Sequence, residues 1–298
     1  MNLKRKQKYA VRSIIFVIIF IIALVGYIRD QHNADKIEDA VEMHIIDVGQ
    51  GDSVLFKTPM GNVLIDAGTN SSEQSLFDYL DSQGVYDFEY CIFTHPHEDH
   101  IGGADMIFEN FDVRNVIISP AVTTTRTFEI FLDALERSEA NVIEAVAGDK
   151  YKLGDLEMMI MGPTVVGNQR DLNNTSVITR ISYGSVRMLF TGDAEKQQEG
   201  DILHSFTSLE LNCDFLKMGH HGSSTSSGDK FIDAVSPSFA AISCGRDNDY
   251  GHPHREIIQL LEKRGIEYHR TDEEGSLVYI CDGKSIWFAE ASGALNGK

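Results

Sequence analysis

Three histidines and a carboxylate lie close together at residues 95–100, which read His-Pro-His-Glu-Asp-His. Because alternate side chains of an extended chain share a face, His95 and His97 can bind one metal ion. Asp99 and His100 come slightly later, where the loop is expected to turn into a helix, and can bind a second ion. Imidazole nitrogen and carboxylate oxygen suit zinc or a similar divalent cation. The spacing therefore predicts a site for two metal ions.

Two further carboxylates stand at the ends of strand-like runs. Asp193 ends the run Thr191-Gly192-Asp193, and a carboxylate at a strand exit beside a two-metal cluster is placed to bridge both ions. Asp66 ends another such run, and it is a candidate to accept a hydrogen bond from a ligand histidine and so fix the tautomer of that ring. A turn residue is the alternative for each carboxylate.

The second half of the chain adds histidines in polar loops. His220 and His221 follow a short apolar run and precede a glycine, so that one of them is expected to bind metal or to act as a general acid. Lys217, just before them, is a candidate to neutralise a phosphoryl oxygen. His252 precedes a predicted helix, where backbone N–H groups also favour an anion.

Composition limits the partners that the protein can have. The chain has 298 residues and a formal net charge of −19, and residues 31–298 alone carry 20 basic and 44 acidic residues. Such a surface is unfavourable for tight binding of a phosphate polymer. The four cysteines lie in apolar runs without a C-x-x-C pair, which predicts buried thiols, or a disulfide if the protein is exported.

The N-terminus is predicted to be a targeting element. Residues 1–12 form a basic cytoplasmic flank, residues 13–28 a transmembrane signal-anchor, and residues 29–41 an acidic linker. An apolar stretch of about 15 residues spans roughly 23 Å as a helix, somewhat less than a hydrocarbon core of about 30 Å. A cleaved signal peptide is therefore the alternative. Either interpretation places the remaining residues, 42–290, outside the cytoplasm.

Residues 42–290 alternate short strand-like runs with amphipathic helical ones in both halves, which predicts an α/β fold of two face-to-face sheets with helices outside. With these motifs the chain resembles metallo-β-lactamase-fold hydrolases. More narrowly, it resembles the extracytoplasmic hydrolase domain of the ComEC competence proteins. The resembling runs are His44–Ser53, Leu64–Gly68, Thr94–Gly103, Asn173–Val177, Thr191–Asp193, Lys217–Ser224, Tyr250–Pro253 and Arg270–Asp272.

This resemblance implies an αββα sandwich with a metal site at one edge of the sheets. The ligands that it implies are His95, His97, Asp99, His100 and the bridging Asp193. By chain order His252 would be the last ligand, with His220 or His221 as the general acid; the reverse assignment is the alternative. Many relatives have a further histidine before the Thr-Gly-Asp run, where this chain has Asn173 and Asn174, and Asn173 is expected to lie beside the ligands.

The resemblance also implies a function: a membrane-anchored, extracytoplasmic metal-dependent phosphodiesterase or nuclease. It would use two divalent ions, Zn²⁺ or else Mn²⁺, on single-stranded DNA or a related phosphodiester. The alternatives are a lactone, thioester or β-lactam hydrolase of the same fold, and a tethered binding module without turnover. No segment of the sequence indicates a protein partner.

Overall fold

A computed structural model describes residues 40–164 and 171–292. The predicted basic flank, the predicted membrane span and nearly all of the linker lie outside the described residues. Among the residues that are described, no helix combines the length and the apolar character needed to cross a bilayer.

The described chain forms two β-sheets. The first has eight strands in the order β15-β14-β1-β2-β3-β4-β5-β6, and the second has seven in the order β13-β12-β11-β10-β9-β8-β7. The bounds of the strands are β1 Val41–Ile45, β2 Val54–Thr58, β3 Gly61–Ile65, β4 Asp87–Phe93, β5 Asp112–Ile118, β6 Asn141–Glu144, β7 Lys150–Leu153, β8 Leu156–Gly162, β9 Ile178–Tyr183, β10 Val186–Phe190, β11 Phe215–Lys217, β12 Phe239–Ile242, β13 Glu267–Arg270, β14 Ser276–Cys281 and β15 Ile286–Ser292.

Helices connect many of these strands. Their bounds are α1 Glu73–Ser82, α2 Glu98–Ile101, α3 Ala104–Asn110, α4 Arg126–Arg137, α5 Lys196–Ser205, α6 Ser208–Leu211, α7 Asp229–Val235, α8 Arg255–Arg264 and α9 Thr271–Glu274, with short 3₁₀ turns at Asn70–Ser72, Asn173–Thr175 and Gly219–Gly222. Helix α4 shows why such segments form. The Thr125 hydroxyl accepts a hydrogen bond from the Phe128 amide and caps the helix, and Phe128, Phe131 and Leu135 recur on one buried face.

The two sheets pack face to face around one apolar layer. Met43 and Phe56 of the first sheet lie in the same buried cluster as Met188 and Phe190 of the second. The rings of Phe56 and Phe190 meet edge to face across the layer, with 5.4 Å between their centroids. Two further apolar clusters lie between each sheet and its helices. The predicted αββα sandwich is therefore confirmed.

Strands β7 and β15 were absent from the sequence-based expectation. Both stand at the end of a sheet, where one side of the strand has no neighbouring strand among the described residues. Strand β7 has a weak apolar pattern, because its Lys150 and Lys152 are exposed, as is common at a sheet edge. The thiols of Cys91, Cys213, Cys244 and Cys281 are free and buried, as predicted.

Parallel pairing determines where the candidate site residues meet. Strands β3, β4 and β5 run parallel in the first sheet, and β10, β11 and β12 run parallel in the second. Parallel neighbours bring their carboxyl ends to the same edge of a sheet. Asp66 follows β3, residues 95–100 follow β4, Asp193 follows β10, and the two adjacent histidines follow β11.

Candidate metal centre

Two groups of donor atoms lie side by side at this edge. The first consists of His95, His97 and Asp193, and the second of Asp99, His100, Asp193 and His221. Within each group every donor atom lies within 4.8 Å of the others. Asp193 belongs to both groups, so its carboxylate lies between two positions that could each hold an ion.

The second group is held around the Oδ1 atom of Asp193. His100 Nε2 lies 3.2 Å from this oxygen and His221 Nε2 lies 3.5 Å from it. His221 Nε2 is also 3.1 Å from Asp99 Oδ2. All but Asp99 are buried, so the donors are shielded from competing water.

The first group faces the other oxygen of the same carboxylate. His95 Nε2 lies 3.8 Å from Asp193 Oδ2 and 2.9 Å from His97 Nδ1. His220 Nε2 approaches the same Oδ2 atom at 3.7 Å, although it is not within the common radius of the three-donor group. The two oxygens of Asp193 thus face different sets of imidazole nitrogens.

A strained turn aims the adjacent histidines in different directions. His220 and His221 both have positive φ, +49° and +54°, within the turn Gly219–Gly222. Residues with a Cβ adopt this left-handed region at an energetic cost, and they do so most often at functional sites. The turn directs His221 into the buried second group and leaves His220 partly exposed at the cleft.

Asp66 supports His100 from behind. Its Oδ2 atom lies 2.8 Å from His100 Nδ1, and its carboxylate also accepts hydrogen bonds from the Thr94 amide and hydroxyl, each at 2.7 Å. A carboxylate at Nδ1 holds one ring proton there, so that Nε2, once a metal ion displaces its own proton, offers its lone pair on the side facing Asp193. The structure thus places Asp66 where the sequence predicted a tautomer-fixing carboxylate.

Replacement of Asp66 by asparagine should weaken metal binding in the second group. The amide cannot hold the Nδ1 proton as a carboxylate does, and loss of such a partner typically lowers metal affinity by about 10–100-fold. Chelator competition with purified Asp66→Asn protein measures this affinity, with the exposed Asp112→Asn as the matched control. Wild-type affinity in Asp66→Asn would contradict this role.

Asp52 faces the Nδ1 atom of His221 as Asp66 faces that of His100. The sequence pattern did not predict this role. Asp52 Oδ1 lies 3.3 Å from His221 Nδ1, which also lies 3.1 Å from the Ser243 carbonyl oxygen. The loop that carries Asp52 can lie this close to Asp99 only because residue 51 is glycine. A Cβ atom at that position would lie 2.5 Å from the Asp99 carbonyl oxygen. The signal in the sequence was the polar turn Gly49-Gln50-Gly51-Asp52.

Lys217 does not reach the cleft, contrary to the expectation that it neutralises a phosphoryl oxygen. Its ammonium lies 2.8 and 2.9 Å from the two carboxylate oxygens of Asp52 and donates to the Met218 carbonyl oxygen at 3.1 Å. The side chain is buried. Successive residues of a strand face opposite sides of the sheet, and the sequence alone does not show which side is buried. In the folded protein Lys217 lies on the side that faces the interior.

His252, which chain order predicts as the last ligand, lies outside the two donor groups in the described structure. Its Nδ1 atom is 3.4 Å from the Gln50 amide nitrogen, and Gln50 Oε1 accepts a hydrogen bond from the Gly245 amide at 3.0 Å. This orients the amide so that its NH₂ group donates to Nδ1, which assigns the remaining ring proton of neutral His252 to Nε2. A protonated Nε2 is a donor and has no lone pair for a metal.

The buried donor atoms at the centre are better suited to binding a divalent ion than to forming hydrogen bonds with one another. Neither His100 Nε2 nor Asp193 Oδ1 has a hydrogen-bond partner among the described residues. Burial opposes ionisation of Asp193, but the positive charges of His100 and His221 outweigh it and hold the pKa of this carboxyl well below its usual range. Burial likewise lowers the pKa of His221, yet Asp193 and Asp52 raise it to about 10. The carboxylates therefore attract positive charge, which divalent ions would supply in place of protons.

The donor groups open into a cleft of about 610 Å³. Asn173 lines this cleft, as expected for a residue beside the ligands; its amide donates to Glu195 Oε1 at 3.5 Å and its own Oδ1 has no partner in the described structure. The remaining lining residues are Gln50, Thr69, Pro96, His97, Glu98, Asp99, Thr125, Asp193, His220, His221, Tyr250 and His252. A cleft of this size accommodates a ligand of nucleotide dimensions.

Comparison with known proteins agrees with this geometry. Residues 46–246 match the model of the metallo-beta-lactamase superfamily. ComE operon protein 3 of Bacillus subtilis is 32% identical over 256 residues, which cover 80% of this chain and 33% of that protein. Competence protein ComA of Neisseria gonorrhoeae is 28% identical over 260 residues, which cover 87% of this chain and 35% of that protein. The chain thus spans about a third of the length of these curated relatives.

A solved structure shows the same fold. The metallo-beta-lactamase fold protein YhfI of Bacillus subtilis aligns with a TM-score of 0.53 at 14% identity, covering 84% of this chain and all of YhfI. The family match spans the strand ends and loops that carry both donor groups. The chain belongs to the metallo-β-lactamase superfamily, is related to the ComEC competence proteins, and carries a His/Asp cluster able to hold metal ions.

Proposed function

We propose that this protein is a metal-dependent phosphodiesterase. The observation that carries the proposal is the shared carboxylate of Asp193, whose two oxygens each face one group of donors. Two ions separated by a single bridging carboxylate are the arrangement that stabilises both the attacking and the leaving oxygen in phosphoryl transfer. His95, His97 and Asp193 would hold one ion, and Asp99, His100, His221 and Asp193 the other.

Ions bound there would supply Lewis acidity and lower the pKa of a water molecule, so that hydroxide would be available as the nucleophile near neutral pH. The protein's own residues prepare the site for this chemistry. Asp66 and Asp52 fix His100 and His221 with their Nε2 atoms toward Asp193. Gln50 leaves the ring proton of neutral His252 on Nε2 at the wall of the cleft, so that His252 would donate a hydrogen bond to the leaving oxygen, which would take its proton from solvent.

A phosphodiester is the substrate class that the resemblance to the ComEC competence proteins implies, with single-stranded DNA as the first candidate. Two of the relatives are a ComE operon protein and a competence protein by name. The net charge of −19 argues for weak, local contacts with such a polymer, so that a nucleotide or a cell-envelope phosphodiester competes as substrate. As a signal-anchor, the N-terminal segment would hold the enzyme at the outer face of the cell membrane. If the segment is a cleaved signal peptide, the enzyme would be released.

Turnover with added zinc or manganese tests the proposal. The purified full chain and its Asp99→Ala variant are assayed in parallel on bis-nitrophenyl phosphate, on single-stranded DNA and on a lactone reporter. We expect cleavage of the two phosphodiesters that depends on metal and falls by at least about a hundredfold in the variant, because Asp99 supplies a donor to the second group.

The other outcomes would overturn the proposal in distinguishable ways. Lactone opening without phosphodiester cleavage would assign a different bond to the same site. Bound metal without turnover of any of the three substrates would indicate a binding module. Full metal-dependent activity in Asp99→Ala would remove the second donor group from the mechanism.

A further inference from the structure

The two donor groups are unequal in the described structure. The second group has four donors, whereas the first has three, His95, His97 and Asp193. Zinc in proteins is usually four-coordinate, so that three protein ligands leave the fourth position to water or to a further side chain. Between residues 101 and 190 the sequence contains no histidine. Any additional imidazole for the first position must therefore come from elsewhere in the fold.

His220 is the imidazole best placed to supply it. Its Nε2 atom lies 3.7 Å from Asp193 Oδ2, nearly the same distance as the 3.8 Å that separates His95 Nε2 from this oxygen. The neighbouring His221 faces the opposite oxygen, Oδ1, at 3.5 Å. The left-handed turn thus divides two adjacent histidines between the two sides of one carboxylate.

An acidic side chain faces the Nδ1 atom of His220, as it does in the two histidines of the second group. His220 Nδ1 lies 3.4 Å from Glu195 Oε1 and 3.1 Å from the Thr225 hydroxyl. Asp66 stands in this relation to His100, and Asp52 to His221. In each case an acidic side chain faces Nδ1 while Nε2 faces Asp193, which is the arrangement that orients ligand histidines.

We propose that His220 is a metal ligand of the first position, completing the group of His95, His97 and Asp193, with Glu195 as its positioning residue. The inference rests on the proposed two-metal site but does not depend on the bond that the enzyme cleaves. Binding requires a small shift of the His220 ring toward the other three donors, because its Nε2 atom is not among the atoms that lie within 4.8 Å of one another. The ring is only partly buried and faces the open cleft, so that the shift meets no packed core.

Metal stoichiometry and affinity test this assignment without reference to turnover. The full chain and His220→Gly are titrated with Zn²⁺ by calorimetry, and metal content is measured by mass spectrometry after dialysis. Glycine removes the imidazole and also accepts the left-handed backbone at no cost, so that a loss of metal cannot arise from strain at this position. His204→Ala, in which an exposed histidine of α5 is removed, is the matched control.

Wild-type protein and His204→Ala should bind two ions. His220→Gly should retain one ion with unchanged affinity and bind the other at least about tenfold more weakly, and Glu195→Gln should show a smaller loss at the same position. In Co²⁺-loaded protein, the visible absorption of one of the two ions should change in His220→Gly.

Three results would overturn the assignment. Wild-type affinity for both ions in His220→Gly would exclude His220 as a ligand. Loss of both ions together would assign it a role in the turn as a whole. A wild-type protein that binds fewer than two ions would refute the two-metal site and the proposed function with it. If the wild-type protein binds two ions tightly but cleaves no phosphodiester, the proposed function alone is refuted. The metal affinities of wild type and His220→Gly then still decide the ligand assignment.

Discussion

Asp193→Ala is expected to lose both metal binding and turnover almost completely. The Asp193 carboxylate belongs to both donor groups, so that removing it takes one ligand from each of two positions. We expect turnover to fall by about a thousandfold or more, which corresponds to about 4 kcal/mol of activation free energy. Metal content after dialysis should fall from two ions to fewer than one.

The fold should survive this change. Asp193 Oδ1 has no hydrogen-bond partner in the described structure, and the Ser176 hydroxyl accepts the backbone N–H of residue 193, which alanine retains. Asp193→Asn keeps one oxygen donor and should show an intermediate loss. The exposed Asp133→Asn serves as control and should match the wild type in metal content and turnover. Two retained ions in Asp193→Ala would show that this carboxylate does not bridge the site.

Lys217→Met is expected to destabilise the fold strongly, although Lys217 touches neither donor group directly. The methionine leaves Asp52 buried without its ammonium partner. Breaking a buried ion pair by removal of one partner typically costs about 3–5 kcal/mol. For a domain of this size we expect a fall in Tm on the order of 10 °C by calorimetry.

The double variant Asp52→Asn, Lys217→Met separates charge from packing. It leaves no lone buried charge, so that its loss of stability should be smaller than the sum of the two single losses. Metal affinity in the second group should still fall, since His221 Nδ1 no longer faces a carboxylate. The exposed Lys230→Met should stay within about 0.5 kcal/mol of wild type. Equal stability of Lys217→Met and wild type would show that the pair contributes nothing to the fold.

The sequence by itself determined the chemistry of the centre. His95, His97, Asp99 and His100 are so close along the chain that covalent geometry brings them together once a strand and its exit loop form. The αββα sandwich followed from the alternation of strands and helices together with the family resemblance. Asp66 was predicted from its place at the end of a strand-like run, and the parallel pairing of β3 with β4 brings it to the same edge as residues 95–100.

Tertiary structure decided which of the distant residues reach this centre. His221 contacts Asp99 across 122 positions of chain, and Lys217 contacts Asp52 across 165. No local pattern encodes such pairs, because they depend on how two sheets pack and on two consecutive residues with positive φ. Hence the sequence identified the loops that carry His220, His221 and His252, whereas the packed fold placed His221 beside the carboxylates, His252 against Gln50, and Lys217 in the interior.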